Sequence, residues 1–147
     1  MRNVAAAASL LLLISCGTGD LSADDGQQSP EDLWGRTYVS VSVTEDGEPR
    51  PLAPGTRIEV TFEEREDEGV VRWKAGCNIH GASVEITPES LHVGEISATA
   101  MGCSEELLDQ DEWLADVFGS DPRWELVEDR LTLASGGTVI ELEASRD

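Results

Sequence analysis

Alternating apolar and polar positions dominate the chain from Trp34 onward. Thr37 to Val43 (TYVSVSV) repeats with period two and sets Val39, Val41 and Val43 on one face, the pattern of a half-buried strand. Glu45-Asp46-Gly47-Glu48-Pro49 supplies turn chemistry, and Pro51 and Pro54 keep the next stretch irregular. Arg57 to Phe62 alternates again, sending Ile58, Val60 and Phe62 inward and Glu59 and Thr61 outward. Glu63 to Gly69 (EEREDEG) reads as a solvated turn, because its acids lack the spacing of a calcium loop. Val70 to Lys74 is a further strand. The glycines and Asn of Ala75 to Gly81 (AGCNIHG) then signal irregular backbone. Short strands at 84–86 and 91–93 flank the Pro88 turn, and Gly94 to Ala100 continues extended.

The period changes at Ser104. Leu107, Leu108, Leu114, Val117 and Phe118 recur at helical spacing with Trp113 beside them, behind a Ser N-cap and two acids. Gly119 is the expected stop. Three strands follow, at 124–127, 130–134 and 138–142, separated by the compact turns Glu128-Asp129 and Ser135-Gly136-Gly137. The pattern predicts a mainly β, α+β domain: a curved antiparallel sheet or partial barrel of about eight short strands with one packed helix.

Residues 1–15 do not follow this pattern. Arg2 precedes an uncharged stretch from Val4 to Ile14, then Ser15 and Cys16. Such a stretch spans ~16 Å as a helix, about half the hydrocarbon core, so it reads as a secretory signal rather than a membrane span. Leu13-Ile14-Ser15-Cys16 resembles a bacterial lipobox, which implies cleavage before Cys16 and its acylation. The domain plan is then a signal peptide at 1–15, a lipid anchor and acidic tether at 16–33, and a globular domain at 34–147. As a random coil the tether spans roughly 20–25 Å.

Charge narrows the partners. With 30 Asp and Glu against 10 Lys and Arg, the formal net charge is −20. Phosphate would repel such a chain, so no nucleic-acid partner is expected. Of three cysteines, acylation of Cys16 leaves Cys77 and Cys103 in an exported domain, where a disulfide is the default. Free thiols are one alternative. A metal set of Cys77, His80, Cys103 and His92 is another, resting on weak Cys-x-x-His spacing.

Gly76-Cys77-Asn78 with Gly81, then Thr99-Ala100-Met101-Gly102-Cys103 leading into the helix, resembles the META domain of the heat-inducible HslJ-type bacterial lipoproteins. Trp34-Gly35 and Leu131-Thr132-Leu133 match its opening and its last strands. The chain departs from that pattern in having one residue fewer between Asn78 and Gly81, and Gly102 where Ala is commoner. The resemblance implies a compact curved sheet with a packed helix and no established catalytic residues; no cofactor is expected. Physically, Gly76 and Gly81 would allow a bend in which Cys77 meets Cys103. Asn78 would bond its side chain to nearby backbone and tolerate a left-handed conformation.

No P-loop, dinucleotide fingerprint, HExxH or GxSxG occurs, and a Ser–His nucleophile would have to draw on His80 or His92. The expected function is therefore a non-enzymatic, lipid-anchored envelope module, stress-related or protein-interacting, held to a membrane by Cys16 and binding a protein partner. The alternative is a carrier whose Trp34, Trp73, Trp113 and Trp124 line an apolar pocket.

Overall fold

The computed structural model describes residues 28–66 and 68–146, so the expected signal peptide, the expected anchor Cys16 and the expected tether up to residue 27 lie outside the described residues. Ten strands and one α-helix follow a short 3-10 turn at Pro30–Leu33. The strands are β1 (Arg36–Glu45), β2 (Glu48–Pro49), β3 (Glu59–Arg65), β4 (Glu68–Lys74) and β5 (Ile79–Ile86). After them come β6 (Leu91–Val93), β7 (Ser97–Ala98), helix α1 (Glu105–Gly119), β8 (Arg123–Val127), β9 (Arg130–Ser135) and β10 (Thr138–Ala144).

Eight strands run in the order β6-β5-β4-β3-β1-β10-β9-β8, with β2 added to β1 and β7 to β5. All pairings are antiparallel. The two ends of that order nearly meet. A bridge joins Ser90 to Arg123, Leu91 N–H donates to the Pro122 carbonyl at 2.9 Å, and the Trp124 indole donates to the Thr87 carbonyl at 2.7 Å. The sheet is thus an almost closed barrel, the mainly β architecture that the alternation predicts.

Ile58, Val60 and Phe62 are fully buried, as their period requires, with Val71, Trp73, Leu131, Leu133, Ile140 and Leu142. β1 departs from its pattern. Val43 is buried with Tyr38 while Val41 is 51% exposed, because the register against β10 shifts between Ser40 and Ser42. Val41 is the extra residue of a β-bulge, and a one-residue slip reverses the faces of everything beyond it. Val43 therefore joins Tyr38 in the core instead of sharing a face with Val39 and Val41.

Local boundaries differ elsewhere too. The turn expected over 63–69 shrinks, since β3 runs to Arg65 and pairs there with Glu68 at the start of β4. Ile79, His80 and Gly81, expected in an irregular loop, already belong to β5. α1 runs through Gly119, and Asp121 takes the left-handed conformation at φ 50°. The described end of the expected tether is part of the domain: Leu33 is fully buried, and the Gln28 side chain accepts from Leu126 N–H at 2.7 Å.

Candidate functional site

The loop between β4 and β5 passes so close to α1 that a Cβ on Gly76 would lie 2.9 Å from the Leu107 carbonyl. Three consecutive backbone N–H groups face the helix there, and each must be paired if it is buried. Asp111, only 3% exposed, supplies the acceptor. Its Oδ1 accepts from Gly76 N–H at 3.0 Å and Cys77 N–H at 3.2 Å. Its Oδ2 accepts from Asn78 N–H at 2.7 Å and Asn78 Nδ2 at 3.3 Å. Successive N–H groups form a nest for an anion, and here the anion belongs to the chain itself. The adjacent Gln110 serves two other segments: it accepts from Ala53 N–H at 2.6 Å and donates to Thr56 Oγ1 and the Ala75 carbonyl.

Asn78 carries the network outward. Its Oδ1 accepts from Thr99 Oγ1 at 3.0 Å and from Met101 N–H at 2.8 Å, while Thr99 Oγ1 accepts from Ile79 N–H. A disulfide joins Cys77 to Cys103, with their Cα atoms 6.2 Å apart. Gly76, Cys77, Asn78, Thr99, Met101 and Cys103 are thus brought together as one fastening between loop, helix and the segment 99–103.

Gly81 is not part of it. It sits inside β5 opposite Arg72, where an added Cβ would make an ordinary 3.6 Å contact, so it forms no tight bend. The Asn78 side chain reaches the backbone of Met101, 23 residues on, instead of its own neighbours, and Asn78 lies outside the positive-φ residues. The alternative metal set does not converge. Both sulfurs are in the disulfide, His80 stacks on Trp73 at 5.5 Å, and His92 faces Asp121. Asp111 and Gln110 were missed by the sequence reading. The signal was present: residues 110 and 111 share a helical face with Leu114, Val117 and Phe118, and all five are buried.

A family model describing the META domain matches residues 31–147. The chain belongs to the META domain family. Two solved structures share the fold. One, titled as the NMR structure of a protein from Burkholderia xenovorans, has a TM-score of 0.64 at 16% identity, covering 80% of this chain and 86% of that one. A second NMR structure has a TM-score of 0.60 at 20% identity, covering 79% of this chain and 94% of that one. No curated protein matches the chain. For this META domain the motif residues 76–78 and 99–103 are those that the Asp111 network and the disulfide hold.

Two other groups of polar side chains have chemistry to weigh. Ser90 Oγ lies 3.5 Å from His92 Nε2, and His92 Nδ1 lies 3.4 Å from Asp121 Oδ2. That is the order of a hydrolytic triad. However, His92 and Asp121 are half exposed, and the N–H groups of Glu89 and Ser90 already go to Thr87 Oγ1. The backbone donors beside Ser90 that an oxyanion would need are spent. The Val93 N–H, and after it His92, holds the Asp121 carboxyl below its ordinary 3.8.

Inside the barrel, Tyr38, Val60, Trp73 and His80 are cross-strand neighbours in one row. Tyr38 OH, Trp73 Nε1 and His80 Nδ1 are buried there without a hydrogen-bond partner. Burial pushes the Tyr38 phenol above its ordinary 10.0, against the opposing pull of Arg36. The folded state therefore prefers the neutral phenol. This contribution to stability is intact below the unfolded pKa and is lost as pH rises above it. Tyr38 is the chain's single tyrosine, so tyrosinate absorbance at 295 nm reads it directly. The folded protein is expected to titrate above 10.0 and the urea-unfolded chain at about that value.

Proposed function

We propose that this META domain is an exported, lipid-anchored and non-enzymatic module of the cell envelope, with Cys16 as its anchor and another protein as its ligand. The observation that carries this reading is how completely the motif residues are engaged with one another. The Asp111 carboxylate is filled by backbone donors, both cysteines are bonded, and Asn78 and Thr99 are tied together. Groups so occupied position a surface; they are not poised to react. A Cys77–Cys103 bond also suits an oxidising compartment, in line with the export signal. The stress-related character rests on the HslJ-type resemblance.

The tryptophans speak against the carrier alternative. Trp73 is packed between Phe118, at 4.1 Å and 13° between planes, and His80. Trp113 lies under Arg50, whose guanidinium carbon is 4.1 Å from the ring centroid. Intact mass of the protein extracted from its own envelope tests the reading. Expected are acyl mass on Cys16 and a gain of two hydrogens (~2 Da) on reduction. A chain without acyl mass overturns the anchor. A noncovalent mass of small-molecule size lost on denaturation overturns the module in favour of the carrier.

A further inference from the structure

The segment that Asn78 and the disulfide hold against β5 has an uncovered edge. β7 pairs with β5 through His80–Ala98 and Gly81–Ser97, and among the described residues no strand pairs with its far side. Thr99 N–H donates to the Ile79 carbonyl at 3.0 Å. Antiparallel alternation therefore turns the N–H and C=O of Ala98 away from β5. Residues 97–102 are all exposed.

We propose that this edge of β7 docks an extended, basic segment of a partner polypeptide as an added strand. The inference rests on the protein-binding reading above and names what is bound. Exposed strand edges template pairing and are usually blunted by shortness, by Lys or Pro, or by a bulge; β7 itself is two residues long, but its pairing with β5 continues to Thr99. This one carries Ser97, Ala98, Thr99 and Ala100. It is also pre-organised. Asn78 holds Thr99 and Met101, and the disulfide holds Cys103, so little chain entropy remains to be lost on docking. Main-chain bonds at such an edge give affinity, and pockets beside it select side chains.

The adjoining surface supplies that selection. An open groove of about 530 Å³ runs along β7 over the outer face of β4 and β5, bordered by Glu68, Val70, Arg72, Gly81 and Glu95. Arg72 is paired with Glu63 at 3.6 Å, whereas neither Glu68 nor Glu95 has an ion pair among the described residues. Ile79 and Met101, 40% and 52% exposed, are apolar side chains available beside the same segment. Two unpaired carboxylates in a chain of net charge −20 favour a cationic strand and repel a second copy of the chain.

The test uses the isotope-labelled chain and a blocked hexapeptide of alternating Lys and Val. Saturable amide shifts are expected at residues 97–100 and at Gly81. An analogue N-methylated at alternate residues, prepared in both registers, is expected to bind about tenfold more weakly in one of them, since it keeps the charge and loses edge donors. The Glu–Val counterpart should not bind. Ala98→Pro removes the N–H that points away from β5, and is expected to weaken binding about tenfold without moving the thermal midpoint. Glu95→Gln, which leaves the edge intact, should reduce both affinity and its salt dependence.

Equal binding by both N-methylated peptides, shifts confined to other elements, or no shift at millimolar peptide overturns the proposal. A concentration-dependent dimer abolished by Ala98→Pro also overturns it, assigning the edge to a second copy. Photocrosslinkers placed at 98 and at 41 in cells separate this proposal from the broader reading. Protein adducts from 41 alone discard the edge and leave the module standing. Absence of acyl mass strikes the anchored-module reading and leaves the peptide result untouched.

Discussion

Replacing Asp111 by Ala is expected to destabilise the domain by about 3–5 kcal/mol, because several buried donors lose their acceptor together. The carboxylate is the acceptor for the N–H groups of Gly76, Cys77 and Asn78 and for the Asn78 amide. Its loss strands three backbone donors against the helix, each costing ~1–3 kcal/mol if water cannot reach it. Asp111→Asn keeps one accepting oxygen but turns an NH₂ group toward a backbone donor, so it should fall between wild type and Ala. Urea unfolding at fixed m-value measures both variants. A loss below about 1 kcal/mol for the Ala variant would mean that solvent replaces the carboxylate, and the loop is not held as described.

Removing the Cys77–Cys103 bond is the second large effect. The cysteines are 26 residues apart, and closing such a loop restricts the unfolded chain by about 3.5 kcal/mol in the loop-entropy account. The double variant Cys77→Ala/Cys103→Ala is the clean comparison, since it leaves no free thiol to exchange. Denaturant midpoints with and without the bond give the value. Cys77 N–H is also held by Asp111, so the two perturbations share a loop. Combining them should show a coupling energy of about 0.5–3 kcal/mol in a double-mutant cycle, not simple addition. Strict additivity would show that carboxylate and disulfide act as independent fasteners.

The readability of these features in the sequence varied for identifiable reasons. β3, β4 and the β8-β9-β10 meander were legible because alternation is a local signal and their turns carry Gly, Asp or Glu at the bends. Helix α1 was legible because its apolar residues repeat at 3.6. The bulge at Val41 was not, since nothing in SVSV marks which valine loses its partner. That depends on β10, roughly a hundred residues away in sequence. Motif matching located residues 76–78 and 99–103 but gave Gly81 a bend it does not make. The edge of β7 was seen only as extended chain, because edge or interior status depends on which strand lies alongside.

Local periodicity, turn residues and the motif spacing determined by themselves a mainly β domain with one helix, the succession of its eight main strands and the two cysteines available for pairing. These are properties of neighbouring residues, so they survive being read in one dimension. Tertiary structure alone decided which of 30 acids is buried as the acceptor of a loop, which face of β1 turns inward, and which strand edge is left open. Asp111 is 33 to 35 residues from the donors it binds. At that separation a carboxylate's environment is set by what the fold packs against it, and an isolated acid in a polar-looking helix turn carries no mark of that destination.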